Sequence, residues 1–149
     1  MFDVEKHDSA TYVQFLRTLH EARSAIDALE ARSVDALSGT TRREQIEAAR
    51  DDTAHEVDPE IVLEQIEKQA DLLARTEITL ATRRAPHAAS AALTRSRRIV
   101  RDMPHMLRAL ATGKVTAEIV HETARSLGPL EDVDRRAVDR MLDERLPDL

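Results

Sequence analysis

Arginine side chains at helical spacing are the residues of this sequence best equipped for chemistry, and that chemistry is the binding of anionic oxygens. Between Arg83 and Lys114 the chain carries Arg83, Arg84, Arg95, Arg97, Arg98, Arg101, Arg108 and Lys114 against a single acid, Asp102. The whole chain of 149 residues has a net charge of −6, so this basic island lies in an otherwise acidic protein. Such asymmetry points to an anionic partner for one face, and duplex DNA is the partner it suggests. Arg83, Arg84, His87, Thr94, Arg97, Arg98 and Arg101 are the candidate DNA- or phosphate-binding residues. Three readings stay open. His87, Ser90, Ala91 and Thr94 would read bases from a helix lying in the major groove. Arg97, Arg98 and Arg101 would hold phosphates without base reading. Or the arginines pair within the fold with acids such as Glu60, Glu64, Glu67, Asp71 and those of Asp132–Asp139.

The other chemistries find no residue set. Each His-Glu dipeptide, His20-Glu21, His55-Glu56 and His121-Glu122, lacks a second histidine four residues after the first; Ser24, Pro59 and Arg125 stand there. A zinc-protease helix needs that histidine. There is no cysteine, which removes disulfides and thiolate metal sites. Three scattered glycines cannot make a phosphate-cradling loop. The island holds no aromatic residue, so it is not a stacking platform for single strands. No catalytic residue, metal site, cofactor or small-molecule substrate is expected.

The elements that must position these side chains are helices. No segment alternates with period two, Gly and Pro are few, and aromatics make up 2% of the chain. Asp8 or Ser9 caps a first helix expected to end near Leu37, with Gly39 as its stop. Its residues Phe15, Leu19, Ala22, Ile26, Leu29, Ser33 and Ala36 follow alternating steps of four and three, a heptad-like seam. The seam is either one face of an intramolecular bundle or a homodimer contact through Phe15, Leu19, Ile26 and Leu29. Residues 40–57 read as a charged connector with a fraying helix around Arg42–Arg50. Asp58-Pro59-Glu60 starts a second long helix: cap, proline at the first position, acid in the first turn. Its inward stripe reads Val62, Ile66, Ala70 and Leu73.

Pro86 starts a third helix. At about 100° per residue, Ala88, Ala89, Ala92, Leu93, Ser96, Ile99, Val100 and Met103 share one arc. His87, Thr94, Arg95, Arg97, Arg98 and Arg101 share the other. Pro104 starts a short helix through Met106, Leu107 and Leu110, stopped at Gly113. Thr116 caps a helix with Ile119, Val120, Thr123, Ala124 and Leu127 inward, stopped by Gly128-Pro129. Asp132 opens the last helix, with Val138, Met141, Leu142 and Leu146 inward.

Three blocks in order carry a family resemblance. Thr76–Ala89 (Thr-Glu-Ile-Thr-Leu-Ala-Thr-Arg-Arg-Ala-Pro-His-Ala-Ala) is similar to an Ile-Ala-Leu-Ala-Leu-Arg-Val-Ser-Pro-x-Ala-Ala block. Met103–Thr116 is similar to a Leu-Pro-x-x-Leu-x-Ala-Leu-x-x-Gly-Arg-Ile-Ser block, and Asp132–Asp139 to a Pro-Glu-Asp-Arg-Ala-Ala-Val-Asp block. The chain thereby resembles the actinobacterial domain of unknown function that precedes HNH endonuclease modules. Thr82, Arg84 and Ala85 depart from the pattern, where an apolar residue, Val and Ser are usual. The resemblance implies a non-catalytic helical part of a nuclease-associated protein, since the HNH module itself has no counterpart in these residues.

The expected architecture is all-α: two long N-terminal helices packed with three or four shorter ones in a single domain over residues 1–149. Residues 1–57 are its long helix and connector, and 58–149 its family-like part. The expected function is that of a non-catalytic module touching DNA through the basic helix. The alternatives are a protein-interaction or oligomerisation module, or a small helix-turn-helix regulator. With no apolar run long enough to span a bilayer and no signal-peptide pattern at Met1–Lys6, the expected location is the cytoplasm.

Overall fold

The computed structural model describes residues 8–51 and 58–146, so the readings of Met1–Lys6, of His55-Glu56 and of connector residues 52–57 lie outside the described residues. Six helices follow one another, with no strand among the described residues: α1 (Ser9–Asp51), α2 (Pro59–Thr82), α3 (Pro86–Asp102), α4 (Pro104–Ala111), α5 (Ala117–Ser126) and α6 (Asp132–Arg145). The all-α expectation holds. No described helix is long and apolar enough to cross a membrane.

The starts follow local chemistry. The Asp58 carboxylate accepts the Glu60 amide at 2.9 Å and Pro59 takes the first helical position. Thr116 Oγ1 accepts the Ile119 amide at 3.3 Å. Gly113, at φ +72°, makes the turn after α4, where a side chain is disfavoured.

One boundary differs from the sequence expectation. α1 does not stop at Gly39 but continues through the supposed connector to Asp51. Glycine inside a helix costs roughly 1 kcal/mol relative to alanine. Here the continuation brings compensation. Thr41 is buried beyond the glycine, and Arg42 reaches Glu67 on α2 at 3.1 Å.

By contacts the chain divides into two units. Ala31–Arg101 forms one, built on the second part of α1 with α2 and α3. Its core joins Val34, Ala74, Ile78, Ala89 and Leu93, with Leu37 packed against it. Ala74 and Ala89 let the helix axes approach closely, and Val34, Ile78 and Leu93 fill the space between them. The predicted inner arc of α3 is the buried one, from Ala89 to Met103.

Met1–Glu30 and Asp102–Leu149 form the other unit, in which α4 packs on α5 and α6. Met106, Leu107, Leu110, Val120, Ala124 and Leu127 are buried there. Two inward assignments are corrected. Ile119 and Met141 are exposed. On α6 the fully buried residue is Asp139, which accepts the amides of His105 and Met106 at the start of α4.

Candidate functional site

The α1 face predicted as a seam is on the outside. Phe15, Leu19, Ile26 and Leu29 are exposed at 39%, 62%, 65% and 61%, with Val13 and Leu16 exposed beside them. Ala22, Ser33 and Ala36 are exposed too. The intramolecular version of the seam is therefore not the one adopted. The buried line of α1 is Ser24, Ala28, Ala31, Val34, Ser38 and Thr41, at steps of four and three but rotated about half a turn. Its physical logic is size. A line of small side chains lets a neighbouring helix come close, whereas the Leu/Ile line would hold it away. Hydrophobicity alone selects the other face, and only the regular spacing of small residues marks this one.

The basic island does not form one uniform surface. α2 and α3 are joined by the three residues Arg83, Arg84 and Ala85. Arg83 stands at φ 54°, ψ 26°, a left-handed position at the C-cap of α2. That conformation lets a tight turn form without the glycine usual in such motifs. Arg83, His87, Thr94 and Arg101 are exposed, while Arg84, Arg97 and Arg98 are half-buried.

Arg97 turns inward. Its Nη1 donates to Asp71 Oδ2 at 3.2 Å and its Nη2 to Asp71 Oδ1, a fork on both carboxylate oxygens. Its Nε donates to Ser38 Oγ at 2.9 Å, and Nη2 also reaches that oxygen. The hydrogen bond from Arg97 holds the Asp71 carboxyl below the ordinary carboxylate range. Partial burial opposes that shift, and the charges of Arg97, Arg75 and Arg101 add to it. Arg101 Nε donates to Asp35 Oδ1 at 2.8 Å. Asp102, the single acid of the island, is buried and accepts from Arg135 Nε at 2.7 Å, with Arg136 at 3.6 Å.

Of the acids expected to meet the island, Asp71 does so. Glu64 pairs with Lys68 and Glu67 with Arg42 instead. Asp35, absent from the sequence-based set, is one missed partner, because nothing local brings α1 beside α3. No three His, Asp or Glu side chains gather into a metal-holding group among the described residues.

No family model, curated protein or solved structure matches the chain.

Proposed function

We propose that this chain is a non-catalytic helical interaction module that pairs with a second copy of itself through the outer face of α1. One observation carries the reading: four large apolar side chains, Phe15, Leu19, Ile26 and Leu29, stand exposed on a heptad line, at steps of four, seven and three with exposed Ala22 in the gap. Full burial of each contributes about 1.5–3 kcal/mol. The spacing argues for a copy of the same chain. Knobs repeated at these steps fit the holes formed by an identical seam, and a two-fold contact is self-complementary. The resemblance to the nuclease-associated family supports an accessory, non-catalytic role. Light scattering across a concentration series tests the reading. A dimer at high micromolar concentration is the expected result, and a monomer there refutes it.

DNA contact through α3 is the second reading. It is favoured by the short turn between α2 and α3 and by the exposure of His87 in the first turn of α3 and of Thr94 midway along it. The pairing of Arg97 with Asp71 and of Arg101 with Asp35 weighs against it, since paired guanidiniums release fewer counterions. Duplex binding that weakens steeply with salt, and is lost on replacing Arg83 and His87, would favour this reading over the first.

A further inference from the structure

We propose that the cleft between the second part of α1, α2 and α3 binds a small phosphate-bearing anion. The cleft has a volume of about 470 Å³ and lies within the Ala31–Arg101 unit. Arg42 and Arg43 approach it from α1, Arg97 and Arg101 from α3, and Glu67 and Asp71 from α2. Its four guanidiniums thus outnumber its two carboxylates. Asp35, outside the cleft lining, pairs with Arg101 at 2.8 Å and offsets that cation.

Two features aim this charge at a ligand. The first is Arg43, whose Nη2 donates to the neutral hydroxyl of Thr40 at 3.1 Å rather than to a carboxylate. Its charge is not spent on an ion pair among those described. The second is Ser38, a cleft residue only 2% exposed. Its Oγ accepts from Arg97 Nε and Nη2, and none of the described hydrogen bonds gives its own O–H an acceptor. A buried hydroxyl donor without an acceptor is costly unless something enters to accept from it. An anionic oxygen meets that need beside an arginine already oriented by Asp71.

The chemistry selects the class. Planar guanidinium forks match tetrahedral oxyanions that can accept from several sides. The surplus of guanidinium over carboxylate charge in the cleft attracts a dianion more strongly than a monoanion. A recess of this size admits inorganic phosphate, pyrophosphate or a mononucleotide, and not a duplex. This site is independent of the α1 outer face.

Titration calorimetry of the full chain with pyrophosphate and with inorganic phosphate at low ionic strength tests the proposal. Arg43 is exposed and outside the described ion pairs, so Arg43→Gln should leave helix content and thermal midpoint unchanged. It should weaken pyrophosphate binding roughly tenfold or more, the worth of one charge-assisted hydrogen bond. Ser38→Ala should weaken binding as well, and Ile26→Asp should not. The proposal is overturned if the native chain binds neither anion, if Arg43→Gln binds as well as the native chain, or if duplex DNA binds while the small phosphates do not.

Discussion

The Asp139 carboxylate caps a helix that is not its own: Oδ1 accepts the Met106 amide at 3.0 Å, while Oδ2 takes that of His105 at 2.9 Å. α4 needs this help. Its N-cap position is Met103, which provides no side-chain cap, and Pro104 brings no N–H. The first amides of a helix are unsatisfied unless something accepts from them. Asp139 is fully buried, so water cannot replace it. Asp139→Ala is expected to cost about 2–4 kcal/mol, from two amides left without an acceptor in the core. Urea denaturation should show a lower midpoint without a large change in slope.

Two glycines predict opposite signs. Gly39 lies inside α1 and a Cβ there would meet nothing within 4 Å. Gly39→Ala should stabilise the chain by about 0.5–1 kcal/mol through helix propensity. Gly113 stands at φ +72°, and a Cβ would come within 3.0 Å of Glu21 Cγ and 3.2 Å of its Cα. Its carbonyl also lies 3.0 Å from His20 Nε2. Gly113→Ala should destabilise by about 1–2 kcal/mol. Thermal melts of the two variants should move in opposite directions.

These positions show where sequence reasoning carries and where it stops. Helix starts were legible because their causes are local: Asp58-Pro59, Pro86, Pro104 and Thr116 act on the residues beside them. The inner arc of α3 was legible because its apolar and basic residues separate cleanly. Gly39 misled because a single glycine costs a helix only about 1 kcal/mol, too little to end a long one, and Thr41 is buried beyond it. The buried line of α1 was hidden because alanine and serine carry little hydrophobic signal. Of the candidate site, His87 and Thr94 are exposed as their place on the outer arc of α3 leads one to expect, but the inward turn of Arg97 needed Ser38 and Asp71 in space. Asp139 was hidden because a buried carboxylate contradicts every local rule until the amides it serves are in view.

Asp71 gives a pH dependence with a definite sign. Its carboxyl titrates lower in the folded chain than the ordinary value, chiefly through the hydrogen bond from Arg97. An unfolded aspartate titrates near about 3.9. The pair therefore stabilises the fold fully above that value. The contribution is lost as pH falls through the lower, folded value. Arg97→Gln removes the cause of the shift. It should reduce stability at neutral pH and narrow the gap between stability at pH 7 and at about pH 3. Asp71 is partly open to solvent, so a modest narrowing is expected. Denaturant midpoints of both proteins at the two pH values provide the check. An unchanged gap would show that the pair does not govern acid sensitivity.

Ile26 and Ala28 sit two residues apart on α1 and should answer the same substitution differently. Ile26 is 65% exposed in the outer seam, and Ala28 is fully buried. Ile26→Asp places a charge where only a second copy would cover it. The single chain should keep its helix content and its melting temperature at low concentration, while the dimer dissociates at concentrations where the native chain is paired. Ala28→Asp places an unpaired charge and extra volume in the interior. It should cost about 3 kcal/mol or more and lower the melting temperature at every concentration. Light scattering and melting curves over a hundredfold range of concentration separate the two effects. Native melting should rise with concentration, and that rise should vanish in Ile26→Asp. If Ile26→Asp instead loses helix content at every concentration, the outer face supports the single chain and the dimer reading fails.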